Sequence, residues 1–198
     1  MKYDDTNYEP QIPKHISRIC VASAHLYLVP GIIFLFCNKL KFTLLGINIF
    51  FLYLSSILHW YEPKFDSVIH YVDLFMVVES TTFCTYVMYT TNNLVFTIWM
   101  VNITTAFAVF LYNEFMYYNQ VIIPKKVLRE NPNMIISIKD DNRSILTLLT
   151  CIEPTYPKSV ARTNAYYRSV IIHALFIHGL SAGTAGITNS LLCLLYFS

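Results

Sequence analysis

The stretch from Ser55 to Asp73 places a hydroxyl, two imidazoles and a carboxylate between two apolar segments. Ser55 and His59 are four residues apart, so on a helix they lie about 40° from each other and share a face. Asp73 follows across a short polar turn that contains Pro63. Ionisable side chains that face inward at a membrane boundary indicate a functional site.

The last apolar segment adds a second pair of imidazoles. It begins with HALFIHGLSAGTAG, which contains His173 and His178. On a regular helix, side chains five residues apart lie about 140° from each other, so these two would not face one metal ion. A π-bulge would align them, and such bulges are frequent at functional sites. Without a bulge, only one of the two histidines would be a ligand.

Three imidazoles and a carboxylate are a plausible set of groups around zinc. A catalytic zinc site uses three protein ligands and leaves a fourth position for water. Bound zinc lowers the pKa of that water to about 7, which yields a hydroxide nucleophile at neutral pH. We expect Asp73 to orient or deprotonate the water, and Ser55 to bond the water or a developing oxyanion. The expected metal ligands are His59, His173 and His178.

These motifs resemble the CREST superfamily of membrane hydrolases. The superfamily contains the alkaline ceramidases, the GPI-remodelling lipases, and the progestin/adipoQ receptors with their bacterial hemolysin III relatives. Its pattern is S-x-x-x-H, then D, then H-x-x-x-H in the last of seven spans, and HALFIHGLSAGTAG is most similar to the ceramidase and GPI-remodelling versions. The resemblance implies zinc bound by three histidines and cleavage of an amide or ester in a lipid, a ceramide-like amide first. This chain differs in its five-residue histidine spacing and its shorter length.

Each of these residues also has a structural interpretation. Ser55 could join two helices by a hydrogen bond, and His59 could belong to an interfacial aromatic belt. Asp73 could pair with Lys64 or complement the dipole of its helix. His70, three residues before Asp73, could support the site, although a structural role is the simpler interpretation.

The composition predicts the elements that must position these residues. The chain has 198 residues, of which 55% are hydrophobic and 13% are charged, whereas soluble domains are about 25% charged. We therefore predict a single all-α domain, a polytopic transmembrane helix bundle of about five spans or a reduced seven-span core. Each expected span is long enough to cross a hydrocarbon core of about 30 Å. The five predicted spans are approximately Ile16–Cys37, Phe42–Leu58, His70–Tyr89, Leu94–Tyr112 and Val170–Phe197.

Charge placement predicts the orientation of the bundle. The expected organisation is a tail (1–15), four spans (16–118), a loop (119–168) and the last span (169–198). Eleven of the fourteen basic residues fall in the tail, the 60–69 turn and the loop, Arg18 falls on the same side at the start of the first span, and only Lys39 and Lys41 fall opposite. The positive-inside rule then places the N-terminus and the loop in the cytoplasm, and we expect an endomembrane such as the endoplasmic reticulum. This topology brings the three histidine ligands and Asp73 into one cytoplasmic-side layer.

Other features predict packing. The five cysteines form no CxxC pair and are expected to be small buried side chains. Pro30 is expected to kink the first span. The many small residues after His178 predict a central, closely packed last helix. The short apolar piece Ile145–Ile152 would lie along the membrane interface or fill a gap in the bundle.

Several function classes lack support. The last span contains no lysine for a retinal Schiff base, and the chain has no phosphate-binding, dinucleotide-binding, HExxH or GxSxG motif. The basic loop is not dense enough to indicate nucleic-acid binding, and anionic lipid headgroups explain it better. The expected partners are the bilayer and a lipid substrate. One alternative is a receptor-like or scaffold protein with a structural zinc; another is a small transporter with Glu79 and His25 along its path.

Overall fold

The computed structural model describes residues 12, 14–63, 67–117 and 158–197, and all regular secondary structure in these ranges is helical. A 3-10 turn, His25–Tyr27, joins the first two helices, and a π-helical segment, His173–Gly186, joins the last two. The all-α prediction is confirmed for these residues. The α-helices are α1 (Lys14–Ala24), α2 (Leu28–Leu35), α3 (Leu40–Tyr61), α4 (Val68–Tyr89), α5 (Asn93–Tyr117), α6 (Lys158–Ile172) and α7 (Ile187–Phe197).

Within the described ranges, four continuous helical stretches are long and apolar enough to cross a membrane. They are Lys14–Leu35, Leu40–Tyr61, Asn93–Tyr117 and Ala165–Phe197. Helix α4 has 22 residues, as α3 does, but it is not among the four. It is more polar, because it carries Asp73, Glu79 and several threonines. The structure therefore supports a membrane protein with four of the five expected spans.

Contacts between distant residues define two ends of the bundle. At the first end, Lys14 Nζ lies 3.3 Å from Glu62 Oε1, which joins the start of α1 to the end of α3. At the second end, the Asn38 amide donates to the Phe197 carbonyl, and Lys41 Nζ donates to the Thr90 carbonyl, each over 3.1 Å. The helices therefore run alternately up and down between the two ends.

Pro30 changes the helix geometry of the first span in the turn before it. It has no N–H, and its ring conflicts with the carbonyl four residues earlier, that of Leu26. Leu26 lies within the 3-10 turn. The expected kink is therefore a change of helix type just before the proline.

The bundle is closely packed at small residues. A Cβ on Gly46 of α3 would lie 2.7 Å from the Gly31 carbonyl oxygen of α2, so these backbones approach too closely for a side chain. A Cβ on Gly186 would lie 3.1 Å from Pro30 Cγ. Close packing of the last helix is thus found at Gly186, whereas a Cβ on Gly179 would meet only Ala174 O of its own segment, at 3.6 Å.

The predicted boundary between the loop and the last span differs from the structure. Helix α6 begins at Lys158, so the part of the expected 119–168 loop from 158 onward is helical and leads directly into the last span. The piece Ile145–Ile152 and Cys151 lie outside the described residues. The other four cysteines are free and buried, as expected.

The buried apolar side chains form two clusters. The proximal cluster lies toward the first end and includes Ile16, Cys20, Trp60, Tyr117, Tyr166, Val170 and Ala174. The distal cluster lies toward the second end and includes Tyr27, Phe34, Phe42, Leu45, Leu52, Met88, Val95, Trp99 and Ala182. The first span, α3, α5 and the last span each contribute residues to both clusters.

Candidate functional site

A layer of polar side chains lies between the two clusters. On α3, Ser55, Ser56 and His59 fall between Leu52 of the distal cluster and Trp60 of the proximal cluster.

The last span repeats this order, with His178 between Ala174 of the proximal cluster and Ala182 of the distal cluster. The first span does so too, with Ser23 between Cys20 and Tyr27. The candidate site thus lies between two groups of apolar side chains.

Asp73 is held by two hydroxyls of α3. Ser55 Oγ lies 2.9 Å and Ser56 Oγ 3.0 Å from Asp73 Oδ1, and the aspartate is only 9% exposed. A buried carboxylate needs such donors, because burial without hydrogen bonds is costly. Ser67 caps α4 by accepting from the His70 amide, which puts Asp73 in the second turn and leaves capping to another residue. Lys64, its other suggested partner, lies outside the described residues.

The two serines differ in what they face. Ser56 lines a cavity inside the bundle, whereas Ser55 is not among the described residues that line it. Ser55 Oγ also lies 3.0 Å from the Leu52 carbonyl, so its single proton is shared between that oxygen and Asp73. Ser55 therefore bonds Asp73 from outside the cavity, whereas Ser56 bonds it from the cavity wall.

The imidazoles of this layer form two pairs, and one indole contacts a member of each pair. The His59 and His70 ring centroids are 5.1 Å apart, and those of His173 and His178 are 4.9 Å apart. The Trp60 ring contacts His59 at 5.1 Å and His173 at 4.7 Å. The three predicted ligands are thus brought into one layer as parts of two pairs.

The π-helical segment explains how His173 and His178 meet. Its hydrogen bonds span five residues, as in the bond from the Ile187 amide to the Ala182 carbonyl, so side chains five apart lie one turn apart. The sequence required a local widening for the two histidines to share a face, and the structure has this widening over 14 residues.

The donor types in this layer suit zinc, and one of them has an unused nitrogen. His59 Nδ1 is buried and has no hydrogen-bond partner among the described residues, so this nitrogen suits a metal ligand. However, no group of three His, Cys, Asp or Glu side chains lies within reach of one metal ion in the part of the chain that the structure describes. Trp60 contacts both His59 and His173. The three histidines share a layer in which the paired rings are those of His59 with His70 and of His173 with His178.

A cavity of about 600 Å³ connects this layer with the distal cluster, within the range typical of ligand pockets. Its polar end is lined by His59, His70, Asp73, His173 and His178. The remainder is mostly apolar and extends along α4 to Met88. From His70 to Met88 a helix rises about 27 Å at 1.5 Å per residue, close to the thickness of a hydrocarbon core.

Glu79 and His25 lie outside the lining of this cavity. Asn48 Nδ2 donates a hydrogen bond to Glu79 Oε2, which links α3 to α4. His25 Nδ1 donates to the Val21 carbonyl over 2.9 Å, and its ring packs against Tyr53. Both polar groups are therefore engaged elsewhere in the bundle.

No family model, curated protein or solved structure matches this chain. The function is accordingly inferred from the chain's own residues.

Three residues of the site were not singled out from the sequence. Ser56 was visible as the neighbour of Ser55, and Trp60 as the neighbour of His59. Ser23, whose Oγ lies 2.7 Å from His178 Nδ1, carried no signal, because its partner is 155 residues away.

Proposed function

We propose that this chain is a membrane hydrolase that uses zinc to cleave an amide or ester bond in a lipid. A ceramide-like amide is the first candidate substrate and a glycerophospholipid ester the second. The proposal is carried by the cavity, which has four imidazoles and a buried carboxylate at one end and is mostly apolar along the rest. A lipid matches this arrangement, because a polar scissile group adjoins a long hydrocarbon chain.

Each residue of the site would have its own role in the proposed hydrolysis. Zinc held by His59, His173 and His178 would supply Lewis acidity and a hydroxide nucleophile at neutral pH. Asp73 would accept a proton from the attacking water through Oδ2, because Ser55 and Ser56 occupy Oδ1.

Two further groups would complete the site. Ser56 lines the cavity and, because its single proton goes to Asp73 Oδ1, would hold that carboxylate in place beside the substrate. The distal part of the cavity, with Phe34, Met88 and Trp99, would hold the hydrocarbon chain and keep bulk water out.

The metal content of purified protein tests this proposal. We expect near-stoichiometric zinc in the wild type and its loss in His59→Ala. His25→Ala is the matched control, because His25 lies outside the cavity lining, and it should keep the metal. Zinc retained in His59→Ala would remove His59 from the site, and wild type without zinc would refute a zinc hydrolase.

A receptor-like bundle with a structural zinc is the second candidate. It is favoured by the Trp60 ring, which contacts both His59 and His173 and so takes up room beside the expected metal position. Release of fatty acid from ceramide in mixed micelles distinguishes the two functions. Zinc-loaded wild type that binds ceramide without cleaving it would support the receptor.

We also propose that the first end of the bundle faces the cytoplasm and that the protein resides in an endomembrane such as the endoplasmic reticulum. Lys14 lies at the first end, and Lys39 and Lys41 lie at the second. The excess of basic residues in the tail and the 119–168 segment supports this orientation.

A further inference from the structure

His178 makes a short hydrogen bond to a residue of the first span. Ser23 Oγ lies 2.7 Å from His178 Nδ1, and the histidine is only 2% exposed. The same Ser23 hydroxyl lies 3.1 Å from the Cys20 carbonyl, one turn earlier on α1. Ser23 therefore has two partners, and only one of them can donate a proton.

The proton count determines the direction of each bond. A carbonyl oxygen only accepts, and a serine hydroxyl has a single proton. If Ser23 donates to the Cys20 carbonyl, its oxygen can accept from His178 Nδ1–H, and both contacts are hydrogen bonds. If Ser23 donates to His178 instead, the Cys20 contact is lost. The first arrangement satisfies more buried polar groups.

A second contact holds the imidazole from the same side. The Tyr27 ring packs edge to face on the His178 ring, with 5.4 Å between centroids. Tyr27 Oη lies 3.0 Å from Ser181 Oγ, and Ser181 donates its own proton to the Ile177 carbonyl. Tyr27 must then be the donor to Ser181, so the first span holds the π-helical segment at two points.

We propose that Ser23 is a positioning residue for His178, which it holds as the tautomer with a proton on Nδ1 and a free lone pair on Nε2. His178 lines the cavity, so the free nitrogen is available to a ligand there. Fixing the tautomer of a liganding histidine through its other nitrogen is a general means of tuning a metal site. The tautomer assignment is independent of zinc; only its consequence for metal binding rests on the proposed function.

Nitrogen NMR of the metal-free full chain tests the assignment. The protein is labelled with ¹⁵N-histidine, held in detergent at a pH where the imidazoles are neutral, and His178 is assigned by its loss in His178→Gln. We expect a single Nδ1–H tautomer in the wild type and in Ser23→Thr, which keeps the hydroxyl, and a tautomer mixture in Ser23→Ala. Ser17→Ala is the matched control, because Ser17 makes the same 3.1 Å bond to the carbonyl three residues back. An Nε2–H tautomer in the wild type, or an unchanged tautomer in Ser23→Ala, overturns the proposal.

Zinc affinity provides the second readout. Ser23→Ala should bind zinc about 10–100-fold more weakly than the wild type, while Ser17→Ala and Ser23→Thr bind it as the wild type does. Equal affinity in Ser23→Ala would overturn the positioning role. Wild type without zinc affinity would refute the proposed function instead, and the NMR result would still decide the tautomer.

Discussion

The imidazoles of His173 and His178 meet edge to face with 4.9 Å between their centroids, although five residues separate them. An α-helix would turn their side chains about 140° apart. The wider π geometry brings them one turn apart, and small residues such as Gly179 and Gly183 accompany it. Since π-helical turns concentrate at functional sites, this pair is the strongest local sign that the layer has a function.

Asp73→Asn should separate catalysis from metal binding. The amide keeps an oxygen for Ser55 and Ser56 but loses the basic carboxylate, so turnover of the lipid should fall about 10²–10⁴-fold with zinc content unchanged. Glu79→Gln is the control, because Glu79 is the other acid of α4 and lies outside the cavity lining. Turnover that survives in Asp73→Asn would mean that Asp73 is not the base.

Removing both serines should destabilise the protein more than the two single changes predict. Either hydroxyl alone can satisfy Asp73 Oδ1, whereas losing both leaves a buried carboxylate without these donors, at a cost of about 1–3 kcal/mol or more. Thermal unfolding in detergent of Ser55→Ala, Ser56→Ala and the double variant measures this coupling.

Ser80→Ala is the control for that series. Its Oγ is buried and has no hydrogen-bond partner among the described residues, so its removal should be neutral or stabilising. Additive effects of the two serine changes would show that they do not share Asp73.

Gly46→Ala should destabilise the crossing of α2 and α3. Its new methyl group would meet the Gly31 carbonyl at 2.7 Å, and overpacking of this kind costs about 1–3 kcal/mol. Gly183→Ala is the control, because its methyl group would have ordinary contact with Leu26 at 3.7 Å. The measurement is the midpoint of thermal unfolding, and equal midpoints would argue against the close crossing.

Trp60 should report metal binding by its fluorescence. The chain has two tryptophans, and only Trp60 contacts His59 and His173. Zinc added to Trp99→Phe, which retains Trp60, should change the emission as the imidazoles rearrange. In Trp60→Phe, the remaining Trp99 donates to Thr85 at the other end of the cavity and should respond little. A response from Trp99 alone would place the metal elsewhere.

The two termini should lie on opposite sides of the membrane. Helix α4 is as long as α3, and its last turn lies with Lys41 at the second end. We therefore expect α4 to cross the membrane too, which gives five spans in all. Terminal epitope tags in selectively permeabilised cells should show the N-terminus in the cytoplasm and the C-terminus in the lumen. Both tags on one side would indicate four spans.

Much of the fold could be predicted because the apolar segments are long. The ends of α3 and α4 lie within a few residues of the predicted bounds. The start of the last helix differs more from the prediction, which began the span at Val170. Helix α6 begins at Lys158 with a polar stretch that carries no apolar signal.

The candidate site was less accessible from the sequence. Ser55 and Asp73 were expected in one site, whereas the hydrogen bond between them and the contact of Trp60 with both His59 and His173 were not. Residue spacing predicts which helix face a side chain occupies. It does not give the rotation of a ring within a packed layer, which depends on contacts among distant spans.

One extra residue in an α-helix normally rotates everything after it by about 100°. Here the π-helical segment absorbs such an insertion locally, and α7 still buries Asn189 and Cys193 within the bundle. Gain or loss of a residue between two ligands therefore need not disturb the helices on either side. Homologous sites can thus differ in motif spacing, and a search that assumes a fixed interval would pass over proteins with the same arrangement of side chains.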